Sequence, residues 1–250
     1  MTATPAAPPA WQKLSATPAV LWHDHRAHWM STTRPPVAAA DPGSPHRISA
    51  WSIPLRDGIR EFAVTGTLDW VPPPVPAVWW AGCLLLGAAV AALGLLRSAR
   101  ALTVAAGIAF VAGLAGLGYA IGAAADSGAL GVSGALRALV GTEPWPLLCG
   151  VAALAAAAYA ALRRPAADLA LGITGACLAL YAGAANAAVF AHAVPPVSLP
   201  GNTGRTLILF CLGGGAGLAG LTVLRMRASA RTAAPSRVTV PAQPLPVDGN

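Results

Sequence analysis

Residues 77–96 read AVWWAGCLLLGAAVAALGLL, an apolar run without a single charged side chain. Wound as a helix, such a run is long enough to cross the ~30 Å hydrocarbon core of a bilayer. Four further stretches share this character, at 101–125, 146–162, 169–191 and 206–224. The third is the shortest, and its bounds are sharp, with Glu143 and Pro144 before it and Arg163, Arg164 and Pro165 after it. Five such runs in succession leave too little polar surface for a soluble fold. The reading is a mainly α membrane protein with five transmembrane helices in 76–224, preceded by a small extracytoplasmic segment that contains a β-hairpin.

Composition agrees. The chain has 250 residues, of which 56% are hydrophobic and 10% charged, against about 25% charged in an ordinary soluble domain. That excludes disorder of the whole chain, which needs a polar, charged sequence, and it argues against a soluble enzyme. The formal net charge is +7, and all but one (Lys13) of the sixteen cations are arginine. Nucleic acid is an unsuitable partner, because the arginines stand one or two at a time between apolar runs and act as topology signals. The bilayer is the partner that the composition demands.

Orientation follows from where those arginines fall. Arg97 and Arg100 lie between the first and second runs, Arg163 and Arg164 between the third and fourth, and Arg225, Arg227 and Arg231 after the fifth. The alternate loops hold Arg137 and Arg205. Excess Lys and Arg marks cytoplasmic loops, so the N-terminus is expected outside and the C-terminus inside a bacterial cell membrane. Trp79, Trp80 and Trp145 then sit at outer ends, where interfacial aromatics belong.

Within the runs, Gly118 and Gly122, and again Gly213 and Gly217, form G-x-x-x-G pairs that let helix backbones approach closely in lipid. Asn186 is the most polar residue inside a run, and no Asp, Glu, Lys or Arg falls at mid-depth. A permeation path normally needs such groups, so a small-solute transporter using Asn186 and His192 at the outer mouth is the weakest of the functional readings. Gly215, Gly217 and Gly220 match G-x-G-x-x-G, yet no strand precedes them and no acidic residue follows at the required distance, so they are packing glycines rather than a dinucleotide site. Cys83, Cys149, Cys177 and Cys211 all fall inside runs without C-x-x-C spacing and read as small apolar residues. No H-E-x-x-H, G-x-S-x-G or P-loop pattern occurs, and a non-enzymatic role is expected.

The first 75 residues differ in kind. Six cations face five anions, and prolines are frequent. Residues 47–55 and 59–70 read as strands around Asp57-Gly58, a dipeptide that accepts positive φ at both positions of a tight turn. Phe62, Val64, Leu68 and Trp70 alternate with Ala63, Thr65, Thr67 and Asp69, the period of a half-buried strand. The run VPPPVP at 71–76 makes a stiff spacer. Residues 225–250 lack periodicity and read as a disordered cytoplasmic tail. An isolated hairpin is marginal in water, and nothing apolar precedes residues 1–75 to direct their export, so a signal peptide and further strands are expected upstream of Met1.

One segment concentrates potential ligands. His23, His25 and His28 lie within six residues and Met30 follows, in a chain with five histidines. Imidazole suits Zn, Cu, Fe and Ni, while a thioether favours Cu(I), so the segment points to a transition metal, copper foremost. Asp24 is placed to orient a ring from outside the ligand shell. His46, across the loop that begins at Asp41, closes the site if that loop folds back and is the least secure ligand. Arg26 repels a cation unless its charge is turned away. The competing reading is a His/Asp/Arg hydrogen-bond network at the base of the β segment, with Trp22 and Trp29 as core.

The stretches Trp11-Gln12-Lys13-Leu14, Trp22 to Met30 (WHDHRAHWM), Pro35-Pro36-Val37 and Asp69-Trp70-Val71-Pro72-Pro73 resemble a group of uncharacterised exported membrane proteins, mainly actinobacterial. The resemblance covers residues 11–75. It implies an N-terminal signal, a strand-rich extracytoplasmic region, C-terminal membrane helices, and an association with genes for periplasmic copper-binding proteins. It brings no established activity. The expectation is an integral membrane protein that presents an extracytoplasmic domain for transition-metal handling, with a periplasmic metal-binding protein as candidate partner. The alternative is an assembly subunit whose small-residue faces pack against another membrane protein.

Overall fold

The computed structural model describes residues 13, 24–96, 98–129 and 131–233. The chain is mainly helical, with five helices long and apolar enough to cross a membrane and one two-stranded antiparallel hairpin. It divides into two compact units, Met1–Pro72 and Pro73–Asn250.

In the first unit, β1 (His46–Asp57) pairs with β2 (Arg60–Trp70), Asp57 opposite Arg60, leaving Gly58 and Ile59 as the turn. The turn is thus one residue further along than expected. Gly58 takes φ +59, whereas β-branched Ile59 keeps an ordinary negative φ, the pattern of a type II′ turn with glycine at its first central position. A bulge between Arg47 and Ser49 shifts the register and sets Trp51 opposite Gly66. The Trp51 ring lies over that glycine, so that a Cβ there would come 2.2 Å from Cζ2. Only Ile53 of β1 is buried, and Phe62 and Val64 of β2 are more exposed than the alternation suggested. The short helix α1 (Pro36–Ala40) contributes buried Ala38; Arg34 stacks over Trp70, and the Trp70 indole donates to the Pro42 carbonyl.

The second unit is the helical bundle. Its spans are Pro76–Leu95, Ala99–Asp126, Pro144–Ala161, Ala167–Phe190 and Gly201–Arg231. They comprise α2 (Pro76–Ala92), α3 (Ala99–Asp126), α5 (Pro144–Ala161), α6 (Ala167–Cys177), α7 (Gly201–Leu209) and α8 (Gly215–Ala233). A further helix, α4 (Gly131–Thr142), joins the second span to the third. The second span packs along the third, and the fifth along both the first and the fourth. These crossings are made by glycine. A Cβ on Gly113 would lie 2.9 Å from the Gly150 carbonyl oxygen, and one on Gly150 would meet the Gly113 oxygen at the same distance. Gly175 and Gly215 stand in the same mutual relation between the fourth and fifth spans. Backbones in lipid gain dispersion and polar contact from such approach, where the hydrophobic effect between helices is lost.

Both G-x-x-x-G pairs are occupied by this chain's own elements. Gly213 and Gly217 meet the Cys83 and Gly87 carbonyls of the first span, while Gly118 and Gly122 meet Leu207 and Leu199. A partner membrane protein would have to use other surfaces. The fourth and fifth spans also depart from α geometry where they touch: Leu178–Gly183 and Phe210–Gly214 are π-helical and pack on each other, and Ala184–Phe190 tightens to 3₁₀.

Two sequence expectations need correction. The fifth span starts at Gly201, so Arg205 belongs to the helix rather than to a loop. The helix also continues through Arg225 to Ala233, so 225–233 is helical and not a disordered tail; residues 234–250 lie outside the described residues. The physical reason is that Arg225 is folded into the bundle. Its guanidinium donates to Asp168 Oδ1 (2.6 Å) and to the Leu96 carbonyl (3.1 Å), while Thr222 donates to the Asp168 carbonyl (2.6 Å). Three spans are tied at this arginine-bearing end. At the opposite end, Trp79 and Trp80 pack against Phe190 at 5.9 and 5.6 Å, and Trp145 stacks on Tyr181 at 5.0 Å. This is called the tryptophan end below.

Candidate functional site

The ligand-rich segment folds as a 3₁₀ turn over His25–Ala27. Asp24 starts it, accepting from the Arg26 backbone N–H at 3.0 Å, as short acceptor side chains do at helix starts. The same carboxylate takes two side-chain bonds from Arg26, Nε to Oδ1 and Nη2 to Oδ2, each 2.8 Å. This fork-to-fork pairing neutralises Arg26 locally and turns its charge onto Asp24. The carboxylate also holds the Arg26 guanidinium above its ordinary pKa.

The turn brings two of the expected ligands together. His25 Nδ1 lies 3.3 Å from Met30 Sδ. With metal–nitrogen and metal–sulfur bonds of ~2.0 and ~2.3 Å, one ion bound by both atoms would subtend about 100°, close to tetrahedral. At that angle the two atoms would supply two positions of a four-coordinate site; as they stand, the imidazole nitrogen and the thioether sulfur are in hydrogen-bond contact. His28 follows the turn as an exposed residue, and among the described residues no three His, Cys, Asp or Glu side chains form a metal-holding group. His23 and Trp22 lie outside the described residues. The loop at Asp41 does fold back on His46, but it engages that ring itself: His46 Nε2 donates to the Asp41 carbonyl at 2.6 Å, with Asp41 Oδ2 at 3.7 Å. Trp29 donates its indole N–H to the Thr33 carbonyl at 2.7 Å and stays partly exposed. The segment thus holds a His25–Met30 contact and an Asp24–Arg26 pair, and Trp29 is exposed rather than a core residue. Elsewhere in this unit, the Thr67 hydroxyl and then Arg47 hold the Asp69 carboxyl below its usual range.

Comparison of the chain with protein-family models, curated proteins and solved structures returns no match.

The tryptophan end of the bundle holds a second constellation. Tyr119, Asn186 and His192 line one cavity of about 300 Å³ whose remaining walls are alanine, valine and proline. Asn186 donates to the Ala182 carbonyl at 3.0 Å, and its amide lies close enough to the Glu143 carboxyl to influence its titration. Burial raises the Glu143 pKa, and the Asn186 amide opposes that rise. His192 Nδ1 donates to the Ala188 carbonyl at 2.7 Å, which leaves Nε2 as the ring nitrogen available to the cavity. The cavity therefore offers a few polar groups on largely apolar walls, chemistry suited to a small, mostly apolar solute. Sequence reading picked out Asn186 and His192 but missed Tyr119, which the second span supplies, and the neighbouring Glu143, which stands just before the third.

Beside this cavity sits Arg205, 5% exposed. It donates to the Val189, His192 and Ala193 carbonyls and to Asn202 Oδ1, at 2.7–3.1 Å. All four acceptors are uncharged. Three belong to the last turn of the fourth span and the residues just beyond it, where orphan carbonyls and the negative end of the helix dipole favour a cation. The Asn202 spacing three residues earlier was the available signal that Arg205 continues a helix.

Proposed function

We propose that this protein is anchored in a bacterial cell membrane by its five helices and presents its N-terminal unit outside the cell to handle a soft transition metal, Cu(I) foremost. The observation that carries the reading is the His25 Nδ1–Met30 Sδ approach at 3.3 Å. A nitrogen and a thioether at that spacing form a borderline-to-soft donor pair. The pairing of Arg26 with Asp24 supports it, since the one adjacent cation is neutralised. Further ligands come from the exchange partner or from residues outside the described set. The protein acts by binding and passing on the ion, without covalent chemistry.

The test is Cu(I) titration of the full chain in detergent against a competing chromophoric chelator. His25→Ala and Met30→Leu are each expected to weaken binding at least about tenfold, whereas His46→Ala leaves it unchanged. Equal affinity in the wild type and both variants overturns the reading. Because thioether is a poor ligand for Zn(II), Met30→Leu is expected to leave any zinc affinity intact.

The cavity at Tyr119, Asn186 and His192 supports a second reading, a small-solute site at the outer mouth. On that reading Asn186→Ala and His192→Ala abolish solute binding while copper affinity stays at the wild-type value.

A further inference from the structure

Helix α4, Gly131–Thr142, is too short to cross a membrane and has no buried residue. Gly128 and Gly131, at φ +69 and +72, set it off from the end of the second span. Gly134, Ala138 and Leu139 are half-buried and form the side toward the bundle. Val132, Leu136 and Val140, spaced i, i+4 and i+8, are 79%, 58% and 61% exposed. At 100° per residue these three form one stripe within 80° of arc, and Ser133 and Arg137 follow on its other side. A soluble surface helix turns such a stripe inward; α4 turns it out.

We propose that α4 is an interfacial helix, and that the Val132–Leu136–Val140 stripe inserts into the boundary between headgroups and acyl chains of the leaflet at the tryptophan end. Arg137 then lies against lipid phosphate. The occupant follows from continuity with the lipid-facing surface of the bundle. The second span closes just before α4 with exposed Ile121, and the third opens just after it with exposed Trp145 and Leu148. A tryptophan at a helix end marks the depth of the interface, and α4 ends at Thr142, three residues from it. A helix too short to span, with an apolar stripe beside a polar, cationic shoulder, binds in the plane of the membrane rather than across it.

The experiment places a fluorophore on α4 in the full chain, in vesicles of phosphatidylcholine and phosphatidylglycerol. Leu136→Cys and, as a second reporter, Val140→Cys carry an environment-sensitive label; Ser133→Cys is the polar-side control and the unsubstituted chain the labelling control. Shallow spin-labelled lipid is expected to quench the Leu136 and Val140 positions about threefold more than Ser133, with iodide in the buffer showing the reverse order. Equal iodide quenching at all three positions puts the stripe in water and overturns the proposal. Protection of the stripe from both quenchers also overturns it, in favour of a covering protein.

Discussion

Arg205 illustrates how a single side chain can be costly and still belong. A buried guanidinium is tolerable only when its donors are matched, and here the matches are backbone carbonyls that would otherwise be orphaned at a helix end. The planar fork reaches several of them at once, which a lysine ammonium cannot do. Arg205→Lys is therefore expected to lower stability by about 1.5–3 kcal/mol, read as earlier thermal denaturation in detergent. Glu143 gives a pH prediction. Burial raises its pKa in the folded state, so the folded chain keeps a proton that the unfolded chain has released. Stability must then fall as pH rises from the ordinary carboxylate value through the raised one. Glu143→Gln keeps an acceptor for Asn186 and should flatten the fall in stability that sets in as pH rises above the ordinary carboxylate range. An unchanged slope in the variant would reject this assignment.

At the scale of elements, the bundle depends on where glycine lies more than on how much of it there is. Gly175 faces the Gly215 carbonyl oxygen, 2.7 Å from where a Cβ would sit, whereas a Cβ on Gly107 would meet nothing within 4 Å. Gly175→Val is accordingly expected to cost at least about 1–3 kcal/mol through overpacking. Gly107→Ala should be neutral or slightly stabilising, because alanine is the better helix former. Comparing the unfolding temperatures of the two variants separates crossing glycines from incidental ones; equal effects would refute the distinction. The two mutually packed π-helical segments, Leu178–Gly183 and Phe210–Gly214, lie on these same helices. Their one-residue expansion brings Gly183 against the Leu212 backbone, a contact at which a Cβ would come within 2.7 Å.

At the scale of the whole molecule, the ends of the bundle differ in chemistry. One is tied by Arg225, Asp168 and the Leu96 carbonyl; the other is anchored by tryptophans stacked on Phe190 and Tyr181. The distribution of arginine in the sequence predicts that the first of these ends faces the cytoplasm. A C-terminal reporter fusion is expected to be active in the cytoplasm and inactive in the periplasm, and the opposite result reverses the orientation. The same experiment constrains the metal reading, since presentation of His25 and Met30 outside the cell requires the N-terminal unit on that side.

The sequence by itself determined the five spans, because a run of uncharged residues of bilayer length has few other stable fates. It determined the hairpin too, since period-two alternation around Asp57-Gly58 is a local signal, although Ile59 shifted the turn by one residue. Histidine density marked the candidate site, but spacing could not tell that Met30 would meet His25 while His46 would turn to Asp41. Only the tertiary structure decided that Arg225 extends the last helix instead of opening a tail, and that both G-x-x-x-G pairs pack within the chain. It also decided that Glu143, a loop charge by its neighbours, comes close to Asn186 of the fourth span. Each of these turns on residues far apart in the chain. Periodicity and composition report what a residue does to its own helix or strand, whereas a carbonyl at Leu96 or a glycine at Gly87 becomes a partner only once the spans are side by side.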